Sequence, residues 1–382
     1  MKSRRMFWAI AFVCGLIGCG ARTGQLASKA IPSPQATVAA TATATWASLP
    51  PSPTAEPTAM PSATASATAT ATATPTITPS PTATTDPYAD LVIEGLTARA
   101  RLEPGSPGAY GQGELAVVKT INTTNAFTRT LVSYPSDDLT IYGFMNTPFG
   151  LGPFPVAIVL HGYIEPAKYD TLAYTTRYAD SLARAGYVVF HPNLRGYPPS
   201  DSGPNTFQVG MAVDTLNLIA LVQKQSGRDG PLAQADGDDI GLMGHSMGGG
   251  ITIRVLTVSP AVRAGVLYAA MNADEKINYE QRLIWRRGRE GTIEPLDVPE
   301  RDLQRISPMF YLDRITAPIS IHHSRDDATV PFAWSEDLAA RLEALDKEVE
   351  FYEYANTPHT FQGASDQQFI KRMIAFFDQH LK

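Results

Sequence analysis

A glycine-rich stretch at residues 239–250 constrains the fold of this chain more than any other feature. It is typical of an apolar strand that runs into Gly-x-Ser-x-Gly at 244–248 and continues as a helix over 251–258. So tight a turn holds Ser246 in a strained backbone conformation, and its flanking glycines fit because strand and helix approach closely. The layout predicts a nucleophile elbow. Its helix directs the first free N–H groups, beginning with Met247, at an oxygen that becomes negative during acyl transfer.

A serine nucleophile needs a base, and the base needs an orienting carboxylate. Among seven histidines, His359 alone lies in a loop between the last predicted strand and the last predicted helix. Catalytic groups collect at the carboxyl ends of parallel strands, so we expect His359 beside Ser246. An earlier loop at the same edge offers Asp326 and Asp327. The spacing to the Val-Pro pair at 330–331 favours Asp327, while a capped turn before the next helix is the structural alternative for both.

Continuous apolar strands alternate with amphipathic helices over most of the chain. This alternation predicts an α/β fold with a mostly parallel central sheet and helices on both faces. A hairpin is expected at Asp137-Asp138. Besides the elbow, strands are predicted at 115–121, 128–134, 139–145, 155–160, 187–190, 264–269, 318–323 and 349–354, and helices at 168–185, 207–225, 332–345 and 366–381.

The segment 272–312 interrupts this alternation. It is polar, helical in bias and rich in arginine, and insertions of this length in compact domains usually act as lids or binding elements. We therefore predict a small helical lid insertion. Such a lid could select anionic or carboxylate-bearing substrates. The favoured alternative is that its charged residues simply form a solvated helical face. The arginines are Arg282, Arg286, Arg287 and Arg289, and the balancing acids are Glu275, Glu280 and Glu290.

The first residues indicate export. A basic start precedes an apolar run at 6–17 that is too short to span a membrane. The run ends in Leu-Ile-Gly-Cys at 16–19, which resembles the bacterial lipobox. This resemblance implies that 1–18 is a lipoprotein signal peptide and that lipid on Cys19 anchors the chain to the extracytoplasmic side of the bacterial membrane. The alternative is an ordinary secretory signal with an incidental cysteine.

Composition divides the remaining chain into a stalk and a domain. Residues 19–87 are rich in Thr, Ala and Pro, and Glu56 is the only charged residue between Ala30 and Thr85. Such a segment cannot bury enough apolar surface to offset its ordering entropy, so we predict a disordered stalk. The catalytic domain is then 88–382.

Charge and cysteine content exclude several partners and cofactors. A net charge of −6 argues against nucleic acid as a partner. The only cysteines are Cys14 and Cys19, so the folded part is expected to contain neither a disulfide nor a thiol zinc site. The adjacent His322 and His323 end a strand and point to opposite faces, which argues against a shared metal. We predict no cofactor and no metal.

The chain order Ser246, aspartate, His359 resembles that of the α/β-hydrolase fold. The tripeptide at 161–163, His-Gly-Tyr, resembles the family's oxyanion loop, which implies that the backbone N–H groups of Tyr163 and Met247 bind the oxyanion. The segment 323–331 resembles His-Gly-x-x-Asp-x-x-Val-Pro, with Ser324 in place of glycine. Residues 193–201 resemble Asp-x-Arg-Gly-x-Gly-x-Ser, but Asn193 and Pro198 depart from it, so we expect a structural role there.

This resemblance covers about 115–382 and is strongest to prolyl-oligopeptidase-like peptidases and dienelactone-hydrolase-like esterases. It implies an exported serine hydrolase that forms an acyl-enzyme, with carboxylic esters as the leading substrate class. A peptidase of the prolyl-oligopeptidase type is the alternative. Only about thirty structured residues are expected before the sheet, which is too few for the gating propeller of that family. A peptidase of this kind would therefore act on short peptides and rely on the lid. An acyltransferase and a non-catalytic surface binding module are lesser alternatives, and the oligomeric state stays open.

Overall fold

The computed structural model describes residues 86–286 and 296–382. The predicted signal peptide, Cys19 and nearly all of the predicted stalk lie outside these residues. Within the described ranges nine strands form one sheet. They are β1 (Ala116–Thr123), β2 (Phe127–Ser136), β3 (Leu139–Pro148), β4 (Phe154–Leu160), β5 (Val188–Pro192), β6 (Ala235–His245), β7 (Val262–Tyr268), β8 (Ile319–Ser324) and β9 (Val349–Tyr354).

Helices fill most of the connections between the parallel strands. None of those described is long and apolar enough to cross a membrane. In the part of the chain that the structure describes, 3-10 helices lie at Pro166–Lys168, Thr206–Gln208 and Pro308–Arg314. The α-helices are α1 (Ile93–Ala100), α2 (Thr176–Arg184), α3 (Val209–Gln225), α4 (Met247–Val258), α5 (Glu275–Arg286), α6 (Glu300–Ile306), α7 (Ala333–Ala344) and α8 (Gly363–Leu381).

The strand order in the sheet is β1-β2-β3-β5-β4-β6-β7-β8-β9. The first three strands are antiparallel, and β2 and β3 form the predicted hairpin, closed by the pair Ser136 and Leu139. From β5 to β9 every pairing is parallel. This is the α/β-hydrolase fold, with its mostly parallel sheet, as predicted. Parallel pairing brings the carboxyl ends of β4, β6, β7 and β8 to one edge of the sheet.

Side chains of the central strands alternate between two buried layers. On β4, Val156, Ile158 and Leu160 join one apolar cluster, whereas Ala157 and Val159 join the other. Residues of α1, α3, α4, α6 and α7 pack in the first cluster, and residues of α2 and α8 pack in the second. Both faces of the strands are therefore covered, which explains their continuous apolar runs.

The structure departs from the prediction at two helices. Helix α1 was not predicted, and α2 begins at Thr176 rather than at Lys168. The preceding residues form a loop because two of their tyrosines reach inward instead of lining a helix face. The hydroxyl of Tyr169 donates to the side-chain oxygen of Asn193 at 3.2 Å, and Tyr174 contacts the end of β6. Tertiary contacts override the local helical pattern here.

The predicted lid segment consists of two different parts. Helix α6 packs into the core through Leu303 and Ile306. The start of α5 is tied down by Glu275, which is buried against the guanidinium of Arg254 on α4. Glu275 thus neutralises a buried cation and is not part of a solvated face, because an unpaired Arg254 would be costly in the interior. The side chain of Arg286 and residues 287–295 lie outside the described residues.

Candidate active site

Ser246 lies in the turn between β6 and α4. Its backbone angles are φ 54° and ψ −113°, a left-handed conformation that is strained for a residue with a side chain. A Cβ on Gly244 would lie 2.1 Å from the carbonyl oxygen of Gly248, and a Cβ on Gly248 would lie 2.4 Å from that of Leu160. Since backbone atoms fill both positions, only glycine fits on either side of the serine.

Backbone hydrogen bonds fix this strained turn against the neighbouring strand. The N–H of Ser246 donates to the carbonyl of Tyr268 at 2.9 Å, and the carbonyl of Ser246 accepts from the N–H of Met271 at 3.0 Å. Helix α4 begins at Met247. The N–H groups of Gly249 and Gly250 donate to the carbonyl of Ser246 at 3.0 and 3.2 Å, so the first N–H groups without a preceding helical acceptor are those of Met247 and Gly248. Ser246 keeps 8% exposure and is therefore partly accessible.

The loop after β4 passes directly beside the serine. A Cβ on Gly162 would lie 3.2 Å from the Cβ of Ser246. His161 holds this loop from the interior, with its ring nitrogens 2.8 Å from the carbonyl oxygen of Gly162 and 2.9 Å from that of Asn193. The side chain of Tyr163 is 69% exposed. The segment that resembles an oxyanion loop is thus adjacent to the elbow. This is the position that a backbone N–H at Tyr163 would need in order to bind an oxyanion formed at Ser246.

A hydrogen-bond chain connects this loop to His359. Tyr174 accepts from the N–H of Gly162 at 3.0 Å and contacts Nδ1 of His245 through its hydroxyl. Nε2 of His245 lies 3.2 Å from the carbonyl oxygen of His359. A carbonyl only accepts, so this Nε2 carries the proton and Nδ1 accepts from Tyr174. Burial lowers the pKa of His245 well below its ordinary value and keeps the ring neutral. Sequence reasoning missed Tyr174, which lay in a predicted helix.

Asp327 and His359 meet at the carboxyl edge of the sheet. Oδ2 of Asp327 lies 2.6 Å from Nδ1 of His359, and the aspartate side chain is fully buried. Because a carboxylate only accepts, Nδ1 carries the proton, and Nε2 keeps a lone pair with which it can act as a base. The alternative acid, Asp326, is exposed and accepts instead from the backbone N–H of Asn356 at 2.6 Å.

The Asp327 carboxylate has further donors. Oδ1 accepts from the N–H groups of Thr329 at 2.7 Å and Val330 at 2.9 Å, and Oδ2 lies 3.0 Å from Nε2 of His323. Burial raises the pKa of Asp327, but the hydrogen bonds from His323 and His359 lower it more, so the net pKa lies well below its ordinary value. The group is a carboxylate at neutral pH. The contact with His323 was not predicted.

Helix α5 ends against the loop that carries the acid. The indole N–H of Trp285 donates to the carbonyl of Thr329 at 3.1 Å. Leu283 and Ile284 on the same helix are exposed by 42% and 52%. The end of α5 therefore lies against the loop that carries Asp327, and this turn of the helix has exposed apolar side chains.

The other histidine at the end of β8, His322, forms hydrogen bonds within the core. His322 lies on the opposite face of β8 from His323, with its ring nitrogens 2.9 Å from the Ser320 hydroxyl and 2.9 Å from the Tyr354 hydroxyl. Among the residues that the structure describes, no group of three His, Cys, Asp or Glu side chains could hold a metal ion.

Two protein-family models match the chain. The prolyl oligopeptidase family matches residues 228–382, and the alpha/beta hydrolase fold matches residues 155–294. The first range contains Ser246, Asp327 and His359, and the second contains the oxyanion-like loop and the elbow. Each model covers less than half of the chain.

The chain is similar to both peptidases and esterases. An uncharacterized peptidase of Bacillus subtilis, YtmA, is 24% identical over 63% of this chain and 90% of its own length. The acylaminoacyl peptidase of Pyrococcus horikoshii superposes with a TM-score of 0.54 at 22% identity, covering 68% of this chain and 42% of that one. Acetyl xylan esterase 1 of Thermoanaerobacterium sp. superposes with a TM-score of 0.53 at 15% identity, covering 76% and 94%. The chain thus spans less than half of the acylaminoacyl peptidase.

The fold and these matches define the class of protein. The chain is a member of the α/β-hydrolase superfamily. It is a serine hydrolase of the type that includes prolyl-oligopeptidase-like and dienelactone-hydrolase-like proteins, and hence an enzyme.

Proposed function

We propose that the protein hydrolyses carboxylic esters through an acyl-enzyme on Ser246, with His359 as the base and Asp327 as its orienting acid. One observation carries the proposal: the buried Asp327 carboxylate forms a hydrogen bond with Nδ1 of His359. The backbone carbonyl of His359 in turn accepts a hydrogen bond from the ring of His245, the residue before the strained serine. Such an arrangement fixes the imidazole tautomer that can accept a proton from the serine.

The proton moves from serine to histidine and then to the leaving group. Nε2 of His359 takes the hydroxyl proton as Oγ of Ser246 attacks the carbonyl carbon, and Asp327 stabilises the resulting imidazolium. The imidazolium gives this proton to the departing alcohol as the acyl-enzyme forms. A water molecule then attacks the acyl group and gives its proton to His359. Collapse of the second intermediate returns the proton to Ser246 and releases the carboxylic acid.

The developing oxyanion is bound by backbone donors. We assign this role to the N–H of Met247, at the start of α4, and the N–H of Tyr163, in the loop beside Ser246. Donors fixed in place before the reaction stabilise negative charge without reorganisation, and the loss of one such donor typically costs about 10²–10³-fold in kcat.

Esters are the preferred substrate class, and peptides are the second candidate. The exposed side chains of Tyr163, in the loop beside Ser246, and of Leu283 and Ile284, on the helix that ends at Thr329, suit an uncharged acyl or alcohol group. The match of the prolyl oligopeptidase family to residues 228–382 favours a peptidase of that type instead, acting on short peptides or amides.

A substrate panel on the full chain separates these functions. We expect p-nitrophenyl acetate to be cleaved with a higher kcat/KM than dipeptide p-nitroanilides. Ser246→Ala should lower kcat by about 10⁴-fold or more, because no other group forms the acyl-enzyme. Faster cleavage of anilides would favour the peptidase. Turnover retained in Ser246→Ala, with the same folded fraction by circular dichroism, would remove Ser246 from the mechanism.

We also propose that the enzyme acts on the extracytoplasmic surface of a bacterial membrane, held by lipid on Cys19. Support comes from the basic start, the apolar run and the Leu-Ile-Gly-Cys sequence at 16–19. In cells that express the full chain, Cys19→Ala should move the protein from the membrane fraction to the soluble exported fraction. Unchanged membrane association of that variant would contradict lipid anchoring.

A further inference from the structure

Two imidazoles share one oxygen of the Asp327 carboxylate. Oδ2 lies 2.6 Å from Nδ1 of His359 and 3.0 Å from Nε2 of His323. The second histidine is fully buried and is not needed for the proton transfers described above. Its contact with the acid therefore calls for a separate role.

The partners of His323 fix its tautomer. Nε2 faces two acceptors, Oδ2 of Asp327 and the carbonyl oxygen of Val330 at 3.2 Å, so it must carry the proton. Nδ1 is then unprotonated and accepts from the hydroxyl of Ser335, 2.7 Å away on α7. The two acceptors on Nε2 thus direct an N–H group of His323 at the acid, and the hydroxyl of Ser335, which can donate, holds the other side of the ring.

We propose that His323 is a positioning residue for hydrolysis, acting through Asp327 by donating a hydrogen bond that keeps this carboxylate ionised and oriented toward His359. The inference rests on the proposed triad. An N–H on Oδ2 occupies one of the two lone pairs of that oxygen, which leaves the other directed at Nδ1 of His359. It also reduces the tendency of the carboxylate to take the proton of the imidazolium, and the low pKa of Asp327 agrees with this effect.

Other groups hold the carboxylate once this donor is lost. Oδ1 stays bonded to the N–H groups of Thr329 and Val330, so Asp327 should remain in place without His323. A carboxylate in place but with one donor fewer attracts the imidazolium of His359 more strongly. The imidazolium form of His359 should therefore be stabilised relative to the neutral ring. The titratable groups that face His359 are Asp327 from the loop after β8 and His245 from the end of β6, which stays neutral.

The test compares two substitutions that place an amide at different distances from the backbone. In His323→Gln the amide nitrogen can occupy the position of Nε2 and donate to Asp327. In His323→Asn the amide is too short to do so and reaches only toward Ser335. His322→Asn, the same substitution on the opposite face of β8, is the matched control because its ring contacts Ser320 and Tyr354.

We expect His323→Asn to lower kcat for p-nitrophenyl acetate by about 5- to 10-fold with little change in KM, and to move the acidic limb of the kcat/KM profile upward by about half a pH unit. His323→Gln should restore most of kcat and the wild-type profile, and His322→Asn should stay within about twofold per folded molecule. Ser335→Ala removes the hydroxyl that contacts Nδ1 of His323, so the ring is held less firmly toward Asp327, and kcat should fall about two- to threefold. It supplies the test if His323→Asn does not fold.

An Asp327→Asn background tests whether the effect passes through the acid. Adding His323→Asn to Asp327→Asn should cause no further loss of kcat. Equal activity of His323→Asn and wild type, equal losses in the Asn and Gln variants, or an additive loss in the double variant would each overturn the inference. These outcomes leave the proposed function intact as long as Ser246→Ala is inactive. Activity retained in Ser246→Ala would defeat the proposed function itself.

Discussion

Two fully buried aspartates, Asp214 and Asp327, have very different partners. Asp214 on α3 accepts from the guanidinium and the backbone N–H of Arg195 and from the hydroxyl of Ser136. Asp327 accepts from two imidazoles and two backbone N–H groups. The first carboxylate is matched by a permanent cation. The second is bound by hydrogen-bond donors, and in the proposed mechanism its negative charge faces a cation that arises when His359 takes a proton.

This difference separates a structural ion pair from the proposed catalytic acid. The Arg195 side chain is only 6% exposed, so its charge and that of Asp214 neutralise each other inside the protein. Burial raises the pKa of Asp214, and Arg195 opposes this shift. At Asp327 the histidine hydrogen bonds prevail over burial and lower the pKa. We therefore expect substitutions at Asp214 to change stability and substitutions at Asp327 to change turnover.

The largest effect is expected for Asp327→Asn. The amide cannot fix the Nδ1–H tautomer of His359 or stabilise its imidazolium, so kcat should fall by about 10³–10⁴-fold. The free energy of unfolding should change by less than about 2 kcal/mol, since the amide oxygen still accepts from the backbone. Initial rates with p-nitrophenyl acetate and urea unfolding measure the two quantities.

Asp326→Asn is the matched control for this prediction. Asp326 is adjacent, exposed and bonded to the N–H of Asn356, so kcat should stay within about twofold of wild type. A loss of activity in Asp326→Asn with normal turnover in Asp327→Asn would reassign the acid and reverse the comparison.

Asp214→Asn should change stability strongly and turnover little, the opposite of Asp327→Asn. It leaves the guanidinium of Arg195 buried without a counter-charge, which should lower the free energy of unfolding by about 3–5 kcal/mol. The kcat per folded molecule should stay within about twofold, because the pair does not contact Ser246, Asp327 or His359 in the described structure. Urea unfolding gives the first value, and rates normalised to the folded fraction give the second. A large loss of kcat without loss of stability would contradict a purely structural role.

The smallest effect concerns the pH dependence of stability. Burial lowers the pKa of His322 to about 3, whereas an unfolded histidine titrates near about 6.5. Between these values the unfolded state binds more protons, so this histidine stabilises the fold above about pH 6.5 and loses that contribution as pH falls. Its share of the slope approaches about 1.4 kcal/mol per pH unit.

His322→Asn removes this titration. Urea unfolding at about pH 6 and pH 5 should show a shallower decline of stability in the variant than in wild type. An identical slope in the two proteins would mean that His322 is not held neutral in the fold. Turnover per folded molecule at neutral pH should be unaffected, in contrast with His323→Asn.

The sheet and the elbow could be predicted from the sequence because their patterns are local. Apolar runs mark the parallel strands, and Gly244 and Gly248 mark a turn that other residues cannot form. The candidate acid could be narrowed to Asp326 and Asp327, with Asp327 favoured by its spacing to the Val-Pro pair at 330–331. The sequence does not show which of the two faces His359, since adjacent loop residues differ in direction and not in composition. The structure separates these two through their contacts with Asn356 and with His359.

The residues that support the candidate site could not be predicted, because their contacts are not local in the sequence. Tyr174 reaches His245 from a loop whose sequence favours a helix, and Arg195 meets Asp214 across 19 residues of chain. His323 was recognised as a strand-end histidine and as the first residue of the segment 323–331, but its contact with Asp327 was not predicted, because that contact depends on the path of the intervening turn. Such contacts arise from tertiary packing, which sequence periodicity does not encode.

Covalent labelling tests the central claim, an alcohol at Ser246 activated by His359, most directly. The full chain is treated with a fluorophosphonate, and the modified residue and the rate are determined by mass spectrometry. We predict one label per chain, on Ser246, absent in Ser246→Ala and formed at least about 100-fold more slowly in His359→Ala. A label on another residue, or a wild-type rate in His359→Ala, would contradict the account.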